Sequence, residues 1–332
     1  MSTRPTIRSV AARAGVSKSL VSLVLQDSPK VGPERRAAVM AAIEELGYRP
    51  DPTARSLAER RTRTIGVVLD DLRNPWFVDL LDGLRPVLLE AGLRPVLGDT
   101  RTEPDVAAVF AQLRVDGLVV VGTREDPHAV EEVARGVPTV LAGSRDSYDA
   151  PVDTVAGDDR AGVRLLVVHL VGLGHRRIGH VAGTGSVGRL RRAAVEESVR
   201  AAGGEVLVAT GDMTEDAGFR CGLELLGGRD RPSAVVGAND VSAVGLLAAA
   251  DELGLRVPED VSVTGYDDIA LARSRRTALT TVDNGAARVG GLAGEELLAR
   301  IADPHRAPVT TLVPPRLVVR TTTGPAPDLS PG

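Results

Sequence analysis

The fold is most constrained by an alternation of short β-branched runs and longer amphipathic stretches, which extends from residue 64 almost to the chain end. Such alternation is typical of α/β proteins with parallel sheets. It begins again after Asp158 and Asp159, so we expect two similar doubly wound subdomains with a ligand-binding cleft between them. Predicted strands cover residues 64–69, 94–97, 117–121, 139–141, 178–182, 206–208, 234–236, 261–263, 279–282 and two short pieces of 309–319. Predicted helices cover residues 75–91, 104–113, 128–134, 159–173, 189–202, 215–226, 240–253 and 286–301.

Residues 6–47 follow a helical period instead. Thr6 can cap a first helix, which Gly15 ends. Ser17 can cap a second helix, and a third can begin at Pro33 and end at Gly47. Two helices joined by a tight turn, with a third as support, are the arrangement of a helix-turn-helix.

The second of these helices has two different faces. Leu20, Val21 and Val24 fall on one side at 100° per residue. The other side is mostly polar and short-chained, and it consists of Lys18, Ser19, Ser22, Leu23 and Gln26.

Charge divides the chain unevenly. Residues 1–64 hold twelve Lys/Arg and six Asp/Glu, a charge of +6, which leaves −10 on the rest of a chain whose net charge is −4. A basic head on an acidic body favours contact of the head with a polyanion. Aromatic residues are only 2% of the chain, so the core should be aliphatic.

The single cysteine, Cys221, excludes an internal disulfide and a metal site built from several cysteines. The N-terminus lacks the apolar stretch of a secretory signal, and no run of about 18 apolar residues could span a membrane. We therefore expect a cytoplasmic protein without membrane association.

The loop Gly183-Thr184-Gly185-Ser186-Val187-Gly188 matches the dinucleotide fingerprint G-x-G-x-x-G. It follows a predicted strand, and Glu205 lies about twenty residues further on, as the fingerprint requires. A dinucleotide enzyme is therefore one hypothesis. Against it, no pair of residues suited to hydride transfer is recognisable, and 36 glycines make a chance match easy.

Three aspartate pairs lie where strands end or helices begin: Asp70-Asp71, Asp158-Asp159 and Asp267-Asp268. Adjacent carboxylates can bind metal ions, although helix capping is the commoner role at such positions. His169, His175 and His180 lack metal-ligand spacing. We therefore expect neither a metal site nor a cofactor.

Several ordered motifs resemble the lactose-repressor (LacI/GalR) family of bacterial transcription regulators between about Thr6 and Thr323. They include TIRSVAARAGVSKSLVSLVLQ, VMAAIEELGYRPDPTARSLAERRTRTIGVVLDDLRNPWF, LGHRRIGHVAG, VVGANDVSAVGLLAAADELGLRVPEDVSVTGYDD, LTTV and LVVRTTT. The resemblance implies an all-α helix-turn-helix head and an α/β core of two doubly wound parallel-sheet subdomains of periplasmic-binding-protein type.

The expected boundaries are a head over 1–50, a hinge helix and linker over 51–62, and a core over 63–323. Within the core, residues 63–160 and 286–318 would form one subdomain, and residues 161–284 and 319–323 the other. The Pro-rich tail at 324–332 is predicted to be disordered.

For DNA binding, the resemblance places the second helix in the major groove, with Lys18, Ser19 and Leu23 near the bases. Ser17, Ser22 and Gln26 would hold phosphates. The matching hinge helix carries Leu57, which the family uses as a minor-groove wedge. The remaining expected DNA contacts are Thr6, Ala54 and Arg55.

For ligand binding, the resemblance points to six positions: Trp76, Phe77, Arg191, Met213, Asn239 and Asp267. The chain departs from well-known members at two positions, where Gly143 replaces a carboxylate and Met213 replaces a stacking aromatic. These departures weaken an assignment of an ordinary hexose as effector.

We therefore expect a homodimeric, non-catalytic regulator, most often a repressor in this family, that binds a pseudo-palindromic operator. A sugar or related metabolite between the core subdomains would control its affinity for DNA. Two alternatives are the dinucleotide enzyme and a solute-binding protein of the periplasmic type without a DNA role. The absent signal sequence and the basic head argue against the second.

Overall fold

The computed structural model describes residues 5–25, 27–48, 61–122, 128–144 and 152–327. The chain divides into two units between Thr62 and Arg63. Gln26 and residues 49–60, which include Ala54, Arg55 and Leu57, lie outside the described residues.

The first unit contains three helices: α1 (Ile7–Ala14), α2 (Lys18–Leu25) and α3 (Pro33–Leu46). Thr6 begins α1 as predicted, because its Oγ1 accepts from the Ser9 amide at 3.3 Å while Ser9 Oγ accepts from the Thr6 amide at 2.8 Å. Gly15 ends α1 with a φ of 67°, a conformation that glycine adopts without strain. The core of the unit is aliphatic, as expected, and consists of Val10, Ala11, Val21, Val24, Val31, Val39 and Ala42.

The second unit is built from strands and helices in alternation. Its strands are β1 (Thr64–Leu69), β2 (Arg94–Asp99), β3 (Gly117–Val121), β4 (Thr139–Ala142), β5 (Asp153–Gly157), β6 (Arg177–Ala182), β7 (Glu205–Thr210), β8 (Ala234–Val236), β9 (Ser262–Thr264), β10 (Thr281–Asp283), β11 (Thr310–Val313) and β12 (Arg316–Val318). Its helices are α4 (Trp76–Glu90), α5 (Val106–Gln112), α6 (His128–Ala134), α7 (Asp159–Gly172), α8 (Gly185–Ala201), α9 (Glu215–Leu226), α10 (Asp240–Glu252) and α11 (Ala286–Ala302).

The strands form two separate parallel sheets, which confirms the predicted class of a helical head with two α/β subdomains. One sheet has six strands in the order β11-β5-β4-β3-β1-β2, and the other has four in the order β7-β6-β8-β9. A short antiparallel pair of β10 and β12 lies where the chain passes between the two sheets. Both sheets are buried by aliphatic side chains on their helix-covered faces.

Three local expectations need correction. Strand β5 was not predicted, and α8 begins at Gly185 rather than near 189. The glycines explain the second error, because a Cβ at Gly188 would lie 2.1 Å from the Gly183 carbonyl oxygen, so they make a tight strand-to-helix turn. The start of the tail is also ordered, since the Gly324 amide donates to Ser262 Oγ and the Ala326 amide donates to the Leu173 carbonyl.

No helix among the described residues is long and apolar enough to cross a bilayer.

Helices α4 and α11 approach each other closely through glycines. A Cβ at Gly290 would lie 1.9 Å from the Leu80 carbonyl oxygen, which belongs to the backbone and cannot rotate away. We expect Gly290→Ala to lower the free energy of unfolding by about 1–3 kcal/mol, measured by urea denaturation. The adjacent Gly291 has 3.7 Å of clearance, so Gly291→Ala should instead stabilise by up to about 1 kcal/mol through helix propensity. Equal effects of the two substitutions would contradict this account of the helix contact.

Candidate functional site

The exposed face of α2 carries the residues predicted to contact DNA. Lys18 and Ser19 are exposed in its first turn, and Ser17 precedes them with its Oγ accepting from the Leu20 amide at 3.2 Å. Ser22 is half-buried. Leu23 packs partly against the helical core, so only part of its side chain is available to a base.

The cations of the head differ in what they already bind. Arg13 pairs with Glu45 at 2.6 Å, and Arg36 binds Asp27 and the Ser28 carbonyl. Lys18 has no hydrogen bond or ion pair with any residue that the structure describes. Its ammonium group is therefore available for a contact outside the head.

A cavity of about 590 Å³ opens in the second unit at the carboxyl ends of strands from both sheets. Its wall includes residues that directly follow β1, β2, β3, β4 and β10, and residues that begin two positions after the ends of β6 and β7. Carboxyl ends of parallel strands are the usual ligand-binding edge of such sheets. Five of the six residues predicted to bind ligand lie on this wall, namely Trp76, Phe77, Arg191, Met213 and Asp267.

A buried ion cluster forms the floor of the cavity. Arg191 Nε donates to Asp159 Oδ1 at 2.9 Å, and its Nη2 donates to Asp267 Oδ1 at 3.2 Å. Its Nη1 donates to the Ala238 carbonyl, and the guanidinium lies 3.8 Å above the centre of the Tyr266 ring. Arg191 and Asp267 thus bind each other, and both also line the cavity.

Burial shapes the electrostatics of this floor. Desolvation, opposed by Arg191 and reinforced by the negative charge of Asp159, raises the pKa of Asp267 to about 6. Arg191 is desolvated as well, yet its carboxylate partners keep its pKa above the ordinary value. The floor therefore consists of one permanent cation and two carboxyl groups, one of which is easily protonated.

One wall is aromatic. Trp76 and Phe77 meet edge to face, with ring centroids 5.5 Å apart. Gly143 makes room for the indole, since a Cβ there would lie 2.2 Å from Trp76 Cη2. The indole Nε1 donates to Asn284 Oδ1 at 3.0 Å. Sequence reasoning missed Asn284 as a cavity residue, although its position directly after β10 was an available signal.

Asn239 does not line the cavity, contrary to expectation. It is fully buried and caps α10, with its Oδ1 accepting from the Ser242 amide at 2.9 Å. Its Nδ2 donates to the Met213 carbonyl at 3.2 Å. Asn239 therefore supports the cavity wall through Met213 and does not contact the cavity itself.

The cavity mouth holds further paired charges. Arg73 binds both oxygens of Asp71 through its Nε at 2.9 Å, and this bond lowers the pKa of Asp71. Arg101 Nε also reaches Asp71, at 3.3 Å. Every arginine on the described wall, counting Arg191, is thus already bonded to at least one carboxylate.

The other polar motifs have structural partners. Asp158 caps α7, and Asp268 binds Arg273 and Arg320. His175 is buried against Ser233 and Ser262. Among the described residues there is no group of three side chains that could hold a metal ion. The loop at Gly183–Gly188 forms the start of α8 beside the cavity.

Comparison with known proteins accounts for both units. A profile described as bacterial regulatory proteins of the lacI family matches residues 6–51, and one described as a periplasmic binding protein-like domain matches residues 167–323. The transcriptional repressor PurR of Proteus mirabilis is 36% identical over 328 residues, with 95% of this chain and 96% of the relative covered. PurR of Escherichia coli O1:K1 is 33% identical, with the same coverage.

Solved structures agree with this grouping. The lac repressor dimer bound to operator and an anti-inducer is 29% identical, with a TM-score of 0.86 over 97% of this chain and all of that chain. The regulator CelR in complex with cellobiose is 32% identical, with a TM-score of 0.72 over 96% of this chain and all of that chain. The similarity spans head and core together, which overturns both the solute-binding and the dinucleotide-enzyme alternatives. The chain belongs to the lacI family of bacterial regulatory proteins and is a DNA-binding transcriptional repressor with an effector-binding core, not an enzyme.

Proposed function

We propose that the protein acts as a homodimer on a pseudo-palindromic operator, with one α2 helix reading each half-site. The relative solved as a dimer on its operator supports this arrangement. Exposed Lys18 and Ser19 at the start of α2 have the chemistry for reading base edges, because lysine donates to guanine and serine can donate or accept. Ser17 and Ser22 would contact phosphates and so fix the register of the helix.

We further propose that Leu57 enters the minor groove at the centre of the operator, with Ala54 and Arg55 beside it. These residues lie outside the described part of the chain, so the proposal rests on the family resemblance and on general physics. A helix of about eight residues is marginal alone, so it should form together with the DNA bend. Inserted leucines offset the cost of unstacking by bringing more protein onto the phosphates.

The effector, in this proposal, is a small molecule that carries hydrogen-bond donors and no negative charge. The observation that carries the proposal is the cavity floor, where two carboxyl groups flank a single, already bonded guanidinium. Six aspartates and three arginines line the described wall, so an anionic ligand would meet an excess of like charge. Relatives support an uncharged ligand: CelR was solved with cellobiose, and a regulator from Enterococcus faecium, 26% identical with a TM-score of 0.73, with ribose.

The aromatic wall bears on the shape of this ligand. Trp76 fills the space beside Gly143 where well-known members carry a carboxylate. Met213 offers a flexible thioether in place of a flat ring. We therefore propose that Asp267, Arg191 and Asp159 provide most of the hydrogen bonds to the effector, and that stacking between two aromatic rings contributes little to its binding.

Two measurements on the full-length protein test the proposal. Sites selected from random DNA should be pseudo-palindromic, and fluorescence anisotropy should show affinity for them that falls steeply with salt. A thermal-shift series of matched neutral and phosphorylated sugars, beginning with cellobiose and ribose, should give stabilisation only by neutral members. A ligand at 100 times its Kd should add about 2.7 kcal/mol. Asymmetric selected sites would contradict the dimer on DNA, and a stabilising sugar phosphate that alters operator affinity would contradict the effector class.

A further inference from the structure

We propose that Asn284 is a positioning residue that couples the carboxylate of Asp267 to the indole of Trp76, and thereby links effector contact to helix α4. The inference rests on the proposed function, because it assumes that the effector contacts Asp267. Asn284 would transmit a change at Asp267 to Trp76 whichever molecule binds.

The coupling consists of a directed chain of hydrogen bonds. Trp76 Nε1 donates to Asn284 Oδ1 at 3.0 Å, and Asn284 Nδ2 donates to Asp267 Oδ1 at 2.9 Å. An indole N–H can only donate and an ionised carboxylate can only accept. The two neighbours therefore fix the amide of Asn284 in one orientation.

Solvent cannot readily replace these bonds. The exposed fractions are 8% for Trp76, 4% for Asn284, 6% for Asp267 and 7% for Arg191. A buried polar group that loses its hydrogen-bond partner destabilises the fold, because no water is there to replace the bond. Asp267 Oδ1 also accepts from Arg191. A ligand or proton that changes the hydrogen bonding of this oxygen must therefore change the hydrogen bond that Asn284 donates to it.

The three residues connect different parts of the core. Asp267 follows β9 of the four-stranded sheet, Asn284 follows β10 at the crossing between sheets, and Trp76 is the first residue of α4. Helix α4 packs tightly on α11, where Cβ atoms at Gly83 and Gly290 would overlap backbone oxygens. A displacement of Trp76 would therefore be passed to this helix pair as a unit.

The indole has little freedom to absorb such a change locally. Its outer edge abuts Gly143, which has a φ of 76° and leaves no space for a side chain. Phe77 packs against the indole edge to face. A close-packed interior transmits displacements of this kind instead of damping them.

A proton can serve as a probe of Asp267 without knowledge of the effector. Burial raises the pKa of Asp267 to about 6, against the opposing effect of the positive charge of Arg191 from α8. The negative charge of Asp159 from α7 raises this pKa as well. Asp240 from α10 also faces it, and burial raises the pKa of that carboxyl as well. Titration of Asp267 thus falls in a range where the folded protein can be studied.

The chain provides a matched reporter, because Trp76 is its only tryptophan and gives a single indole ¹H–¹⁵N resonance. In the full-length protein this resonance should shift with pH, with a midpoint near 6. Asp267→Asn should abolish the titration. Asn284→Leu should move the resonance away from its hydrogen-bonded position and remove most of the titration, while circular dichroism confirms folding.

Two further variants complete the test. Asn74 Oδ1 accepts from the Trp76 backbone amide at 3.1 Å, so Asn74→Ala disturbs the same residue but should leave the titration intact. Should Asn284→Leu fail to fold, Asn284→Asp keeps the acceptor for the indole and adds a charge beside Asp267. It should preserve the resonance position and move the midpoint above that of the parent.

A wild-type indole resonance that does not respond to pH would overturn the proposal. So would a titration in Asn284→Leu that equals that of the parent. Neither result would contradict the proposed function, which is tested separately by operator selection and by thermal stabilisation with ligands. Conversely, failure of neutral sugars to bind would leave the indole titration unchanged.

Discussion

The Arg191→Ala variant is expected to lose about 3–5 kcal/mol of folding free energy at neutral pH. Arg191 neutralises two buried carboxyl groups, Asp159 and Asp267, through bonds of 2.9 and 3.2 Å. Its removal leaves both carboxylates in the interior without a cation and close to each other. Urea denaturation followed by circular dichroism measures the loss.

The pH dependence separates lost charge from lost packing. A carboxyl whose pKa is higher in the folded than in the unfolded state binds its proton more tightly when folded. Asp267, with a pKa of about 6 against an ordinary 3.8, therefore lowers stability as the pH rises from about 4 through 6. Loss of Arg191 raises this pKa further, so the penalty of Arg191→Ala should shrink between pH 7.5 and pH 5. An equal penalty at both values would indicate lost packing instead.

The neighbouring arginine provides the control. Arg192 follows Arg191 on α8 but is half exposed and pairs with Glu196 one turn away, at 2.9 Å. Exposed pairs of this spacing contribute about 0.3–0.5 kcal/mol. Arg192→Ala should therefore change stability by no more than about 0.5 kcal/mol, with no pH dependence around 6.

The sequence alone could predict part of this site. Polar residues after strands predicted the correct edge of both sheets, because the carboxyl ends of parallel strands converge. The choice between a ligand contact and a structural bridge for Arg191 and Asp267 could not be made from spacing. Their partner Asp159 is 32 residues from Arg191 along the chain, and only the fold brings the three together.

The errors have physical causes of the same kind. Asn239 was assigned to the ligand by the family resemblance alone, and a polar residue between a strand and a helix can equally cap the helix, which is what it does here. The start of α8 was placed too late because glycines usually interrupt helices. In this turn they permit the close approach of Gly183 and Gly188. Strand β5 is five residues long and follows residues 145–151, which carry no periodic pattern.

The Lys18→Ala variant is expected to lose discrimination at one base pair of each operator half-site by about 1–3 kcal/mol. Lys18 lies exposed in the first turn of α2, and no described residue competes for its ammonium group. Lysine donates to guanine O6 and N7 in the major groove, whereas alanine offers no donor. Fluorescence anisotropy against the selected operator and its single-base variants, at one salt concentration, measures the discrimination.

Lys30 is a matched control because Lys18 and Lys30 are the only lysines of the chain, and both are exposed in the head. Lys30 lies between α2 and α3, outside the helix that would enter the groove. Lys30→Ala should weaken binding evenly across sequences, or leave it unchanged, and reduce the salt dependence by at most about one counterion. If Lys18→Ala also lowered the affinity evenly for all DNA sequences, Lys18 would contact a phosphate. Base recognition would then depend on Ser19 and on the exposed part of Leu23.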